Sequence, residues 1–257
     1  MLTQVDQCGE RDFLDLSSFV RYSLGVRTLA IGDIHGSRTA LETLADYAQI
    51  TPSDTLVTLG DYVDRGPDSR GVIEWLLEWD TVGRLVPLRG NHEIMFIDAR
   101  DTPDACPGWL RVGGKATLGS YGIEGHQGFE RVPAEHWEFI EQRCLPYFET
   151  EGHIFVHASV DAHTPMNAQS PTDLYWESIY RAAPHTSGKT VVCGHSSQRS
   201  GDPLDLGFAV CIDTYAYGGG WLTCLDVNSG KYWQASQTGQ TRDGVLDMQL
   251  GRSLLRR

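Results

Sequence analysis

The sequence lacks any run approaching the ~18 apolar residues that a membrane-spanning helix needs, so no membrane partner is expected. Its opening, MLTQVDQCGERDF, lacks a basic stretch followed by an apolar one. No secretory leader is therefore expected, and the cytoplasm is the expected location. Cysteine is sparse: Cys8, Cys106, Cys144, Cys193, Cys211 and Cys224 are scattered without a CxxC pair. That spacing speaks against a thiolate zinc site or a disulfide framework and for reduced thiols, with Cys193 and Cys211 as small core residues. Positive charge is also short. Lys and Arg number 21 against 34 Asp and Glu, a net charge of −13. A nucleic-acid binder normally carries a basic footprint, so nucleic acid is not an expected partner.

What is present is an ordinary globular composition, 40% hydrophobic and 21% charged over 257 residues, with length enough for a sizeable core. In the first third, strand-like and helix-like segments alternate. Arg27–Ile31 is a short apolar run ending at Gly32, and Leu41, Leu44, Ala45 and Ala48 then recur at helical spacing before Thr51–Pro52. The runs 55–59 and 84–88 read as further strands, with a helix over 69–80 between them. Pro87 puts the third strand at a sheet edge or a strand end. The middle, about 94–150, is less regular and holds an expected helix in PAEHWEFIEQRCLPYF. Later come HIFVHA, KTVVCGH, FAVCID, WLTCLDV and KYWQAS, which suggest a second, mainly antiparallel sheet. The expected fold is α/β: two packed mixed β-sheets flanked by α-helices, in one domain over 1–257 with a core at about 27–226 and a polar, peripheral tail after about Gln237.

The polar clusters fall at strand ends. IGDIHG follows the first strand, LGDYVDRG the second and LRGNHE the third, while FVHA and VCGH close two later ones. α/β sheets build their sites at the carboxyl ends of strands. These ends supply Asp33, His35, Asp61, Asn91, His157 and His195. Carboxylate, carboxamide and imidazole without thiolate suit Mn, Fe or Zn, and the set is large enough for two metal ions. A carboxylate such as Asp61 can bridge two cations, and a metal pair ~3.5–4 Å apart clamps the attacking and leaving oxygens of an in-line displacement.

GDIHG, GDYVDRG and GNHE, in that order and followed by single histidines at two later strand ends, resemble the serine/threonine phosphoprotein phosphatase family within the calcineurin-like metallophosphoesterase superfamily, nearest to its compact bacterial and phage members. The resemblance spans about residues 27–226. It implies a first metal on Asp33, His35 and Asp61, and a second on Asp61, Asn91, His157 and His195. It further implies that Arg65 grips phosphate oxygens, that His92 protonates the leaving alkoxide, oriented by Asp64, and that a metal-bridging hydroxide attacks phosphorus directly. Two divalent cations, Mn²⁺ as the usual activator in compact members with Fe or Zn as alternatives, would be the cofactors. The substrate would be a phosphorylated protein or a small phosphomonoester.

The sequence departs from the family in two places. Many members carry a second phosphate-gripping arginine two residues after a tryptophan. Here the segment reads LYWESIYRAAP, with Ser178 at that position and Arg181 nearby as a candidate replacement for binding substrate. The loop IDTYAYGGGW also differs from that of eukaryotic members, so their regulatory docking does not carry over. Taken singly, Asp33 reads as a helix cap and Asp61 as a turn former; the motifs together outweigh that. Asp68 reads as a turn or cap residue, and Glu93 as support behind the ligands. His126, His136, His153, His163 and His185 read as surface or packing residues. VGGKATLGS lacks the GxxxxGK[ST] order of a phosphate-binding loop. The competing activity is symmetrical hydrolysis of diadenosine tetraphosphate, whose enzymes share this framework but typically read GNHD and lack the VDRG aspartate. A binding scaffold without catalysis would have lost ligands, and all six are present.

Overall fold

The computed structural model describes residues 27–125 and 128–246; Cys8, His126 and the last residues of the tail lie outside them. Three βα steps build the first third: β1 (Thr28–Ile31), α1 (Arg38–Tyr47), β2 (Thr55–Thr58), α2 (Ser69–Val82), β3 (Arg84–Pro87) and α3 (Asn91–Asp101). β1, β2 and β3 pair in parallel, and β3, with Pro87, is the edge strand. Asp68 caps α2, its carboxylate accepting from Gly71 N at 2.8 Å. The helix expected near 134 runs over Ala134–Glu138 and continues in wider turns to Arg143.

The later strands are β4 (Tyr147–Glu149), β5 (His153–Val156), β6 (Thr190–Cys193), β7 (Leu204–Asp205), β8 (Ala209–Cys211), β9 (Leu222–Asp226), β10 (Lys231–Ala235) and β11 (Thr241–Val245). They divide between the sheets. β9, β10 and β11 extend the first sheet antiparallel, giving the order β11-β10-β9-β1-β2-β3, while the second sheet runs β4-β5-β6-β8-β7. Both sheets are mixed. The expectation of a mainly antiparallel second sheet is corrected: β5, β6 and β8 are parallel to one another. TVVC and AVC are buried along their whole length, the pattern of strands covered on both faces. The tail supplies the edge strand β11, where Arg242 bonds to Gln234, the Gly201 carbonyl and Asp202.

Side chains alternate faces along a strand, and this sorts the core into layers. Leu29, Ile31 and Leu56 pack under the helices with Leu41, Leu44, Val72 and Ile73. Ala30 and Val57 face the other way and meet Phe155, Val192 and Val210 between the sheets. Val191, Cys193, Ala209 and Cys211 form the outer layer with Leu174 and Ile179. Each fully buried aliphatic side chain contributes ~1.5–3 kcal/mol, and both sheets share the middle layer. The carboxyl ends of β1, β2, β3, β5 and β6 are thereby fixed against one another. No helix among the described residues is long and apolar enough to cross a membrane, and the five described cysteines are buried and free.

Candidate metal centre

Asp33 and His35 leave β1, Asp61 leaves β2, and Asn91 and His92 open α3 after β3. His157 and His195 leave β5 and β6. Reaching a common point strains the backbone. Among the described residues seven non-glycine residues have positive φ, and five of them are His35, Asp61, Asp64, Arg65 and His195. Such conformations cost on the order of 1–3 kcal/mol each and persist where the surroundings over-determine them. One glycine shows how tight the convergence is: a Cβ on Gly194 would run into Asp33 Oδ1.

The six expected ligands come together. The two oxygens of Asp61 face different partners: Oδ2 lies 3.3 Å from His35 Nε2, and Oδ1 lies 3.5 Å from His157 Nε2. Asn91 Oδ1 is 2.9 Å from His157 Nε2 and 3.2 Å from His195 Nδ1. Both oxygens of Asp33 accept from His195 N, at 3.1 and 3.0 Å. The other ring nitrogen of each histidine donates to a backbone carbonyl: His35 Nδ1 to Val63 at 2.7 Å, His157 Nδ1 to Leu59 at 2.8 Å, and His195 Nε2 to Trp176 at 3.2 Å. A carbonyl only accepts, so the nitrogens turned inward carry lone pairs. Imidazole lone pairs therefore face carboxylate and carboxamide oxygens, acceptor against acceptor. A cation is the species that satisfies such a set.

The electrostatics agree. Burial lowers the pKa of His157 to about 4 and that of His195 below its usual value, which leaves both neutral and fit to bind metal. Burial, with Asp213 and Asp61 adding repulsion, pushes Asp33 well up. Two donor groups lie within 4.8 Å: His35, Asp61 and His92, and Asp33, Asp61 and His157. Asp61 is common to both.

The other motif residues are placed as follows. His92 Nδ1 bonds Asp64 Oδ2 at 2.6 Å, and His92 Nε2 lies 4.0 Å from Asp61 Oδ2. Asp64 is itself held by Trp109 Nε1 at 2.8 Å and Thr117 Oγ1 at 2.6 Å. Arg65 Nη1 reaches His35 Nε2 at 2.7 Å. Arg181 is not brought into the group: its side chain is 78% exposed, with Nη1 3.5 Å from Glu177. Ser178 caps the turn Ile179–Arg181, accepting from Tyr180 N. Lys115 is exposed.

Two features escaped the sequence reading. Asp213, buried at the end of β8, accepts from Ser197 Oγ at 2.5 Å and lies close enough to Asp33 to raise its pKa. The strand-end rule, applied to FAVCID, would have found it. Trp109 and Thr117 carried no signal at all. Glu93 does more than complement a helix dipole: its carboxylate accepts from the backbone N–H groups of Gly90, Asp61, Tyr62 and Val63 at 2.7–3.2 Å, clamping the Asp61 turn to the start of α3. Burial raises its pKa to about 7. In Glu93→Gln an amide NH₂ would oppose those donors. Hydrogen bonds to charged groups contribute about 1.5–3 kcal/mol, so the melting temperature should fall by roughly 5–10 °C. A change within about 1 °C, on the same scale, would remove the clamp.

The geometry agrees with comparison to known proteins. The model of the calcineurin-like phosphoesterase family matches residues 26–220. The chain belongs to the calcineurin-like phosphoesterase family. This phosphoesterase is 33% identical over 211 residues to serine/threonine-protein phosphatase 1 of Salmonella typhimurium, covering 75% of this chain and 88% of that protein. A shorter match, 43% over 71 residues, joins it to the symmetrical bis(5'-nucleosyl)-tetraphosphatase of Edwardsiella ictaluri, 27% of this chain and 25% of the other. Its fold is shared with the cold-active protein-tyrosine phosphatase of a psychrophilic Shewanella, at a TM-score of 0.59 and 17% identity over 85% of this chain and 80% of that one. The phosphoesterase is thus a hydrolase of phosphate esters, of a family that works with divalent metals.

Proposed function

We propose that this phosphoesterase is a protein serine/threonine phosphatase, also active on small phosphomonoesters, in which the whole chain forms one metallophosphoesterase domain. The observation that carries this reading is the His92–Asp64 pair at 2.6 Å, set with His92 Nε2 4.0 Å from the shared carboxylate Asp61. Asp33, His35 and Asp61 would hold one divalent cation, and Asp61, Asn91, His157 and His195 a second. Bound cations of this kind polarise phosphoryl oxygens and make water nucleophilic near neutral pH. Mn²⁺ is our choice of ion, since O and N donors without thiolate suit it. The buried free cysteines suit a reducing compartment, and the cytoplasm is the location we propose.

The chain's own residues do the rest. Arg65 offers a planar pair of N–H donors to the phosphate oxygens. Arg181 is left out of that grip because of its placement at the surface. His92 gives its proton to the leaving oxygen. Burial acts against the charged form of His92, but Asp61 and Asp64 outweigh it and raise its pKa, as a proton donor near neutral pH requires. Asp64 fixes the ring, so the Nε2 proton faces the centre.

The test is an activity panel on metal-stripped protein restored with Mn²⁺, using p-nitrophenyl phosphate, phosphoserine, phosphothreonine and phosphotyrosine peptides, and diadenosine tetraphosphate. Hydrolysis of the phosphoserine and phosphothreonine peptides ahead of the dinucleotide supports the reading. Preference for the dinucleotide by about 10³-fold in kcat/KM, ~4 kcal/mol in transition-state stabilisation, would replace it with the tetraphosphatase activity.

A further inference from the structure

The loop that follows β8 brings two tyrosines to the centre. The Tyr217 ring centroid lies 4.5 Å from the guanidinium carbon of Arg65 and 4.9 Å from the His35 ring, at 84° to it. Tyr215 stands 4.8 Å from Tyr217, and the Arg199 guanidinium carbon lies 5.3 Å from the Tyr215 ring. The Tyr217 hydroxyl interacts with Ser197, which donates to buried Asp213. Tyr217 is therefore held on several sides.

Tyr215 occupies the left-handed region, φ 66° and ψ 41°. A residue other than glycine there costs ~1–2 kcal/mol. The loop is built around the ring all the same. Tyr215 N donates to Asp213 Oδ1 at 3.1 Å, and a Cβ on Gly218 would collide with the Tyr215 ring. Strain kept in order to place an aromatic ring beside a second aromatic ring points to a use for the pair.

Arg65 has a peculiarity that the rings explain. Among the described residues no carboxylate forms an ion pair with it; its polar contacts are His35 Nε2 at 2.7 Å and, weakly, the Val112 carbonyl at 3.4 Å. A carboxylate would occupy the in-plane N–H fork and cancel the charge. An aromatic face holds the guanidinium through its plane without cancelling its charge, and Nη2, which makes neither of those contacts, is left to donate to a phosphate dianion. We propose that Tyr217, braced by Tyr215, is the positioning residue that sets Arg65 for gripping the substrate phosphate. This rests on the phosphatase reading above.

The test uses the full chain with Mn²⁺ and p-nitrophenyl phosphate, with inorganic phosphate as competitive inhibitor. The variants are Tyr217→Leu, Tyr217→Phe, Arg65→Ala and Arg65→Ala with Tyr217→Leu. Tyr217→Leu should raise KM and the phosphate inhibition constant about 5- to 30-fold, the range of a partly desolvated cation–π contact, with kcat changed much less. Tyr217→Phe, which keeps the ring, should restore most of the loss. In the Arg65→Ala background Tyr217→Leu should add nothing. Should the leucine variant misfold, Tyr217→Met fills similar volume without a ring face and is read in the same way. A wild-type enzyme that leaves the ester intact, or an Arg65→Ala variant with wild-type KM, overturns the phosphate grip and the brace with it. An enzyme weakened by Arg65→Ala but indifferent to Tyr217→Leu, or penalised equally in both backgrounds, overturns the brace alone.

Discussion

Asp61→Asn should lower kcat by at least about a thousandfold, because the Lewis-acid contribution of a clamped metal pair is several kcal/mol. Asp61 is the one side chain common to both donor groups, with an oxygen turned toward each. Asparagine keeps the shape and leaves the backbone bond from His92 N within reach. It replaces one acceptor oxygen by an NH₂ that would face a lone pair of His35 or His157, and it removes a negative charge from between the proposed cations. The loss should therefore appear in metal affinity and turnover together. An Asp61→Asn enzyme within tenfold of wild type at saturating Mn²⁺ would show that the centre does not depend on a shared carboxylate.

His92→Asn should lower kcat by about 10²–10⁴-fold, the usual range for a general acid, while the metal content stays unchanged. His92 reaches the centre through Nε2 and is held through Nδ1 by Asp64, so its effect belongs to proton delivery. The pH profile gives the sign. Burial lowers the His92 pKa, but Asp61 and Asp64 raise it more, so the net shift is upward. The acid then stays protonated further into the alkaline range, and kcat declines as pH rises through its pKa. Asp64→Asn removes one of the raising contributions and should move that alkaline limb to lower pH. A His92→Asn enzyme with full turnover, or an Asp64→Asn profile that coincides with wild type, would take the pair out of proton transfer.

Much of this centre was legible in the sequence because chemistry and topology coincide at strand ends. Each proposed ligand follows a strand whose apolar run is plain, and the accompanying glycine marks close backbone approach, as Gly194 against Asp33 shows. What the sequence hid are relations across the chain. Which sheet a short strand joins depends on its neighbours, so WLTCLDV and KYWQAS read as strands of a second sheet although they pair with β1 and with each other in the first. Thr117 and Trp109 reach Asp64 from a segment with no motif. The Glu93 clamp needs the three-dimensional turn at Asp61–Val63 to exist before its four donors converge. Arg181 is close to Ser178 along the chain, yet the turn that Ser178 caps leaves its side chain at the surface.

The most direct measurement is a Mn²⁺ titration of metal-stripped protein by calorimetry, with bound metal counted after dialysis, on wild type and on Asp61→Asn. Lone pairs gathered around one shared carboxylate call for about two ions per wild-type chain and a marked weakening in the variant. A wild-type chain that retains no divalent ion, or a variant that binds the same number with the same affinity, would contradict the account.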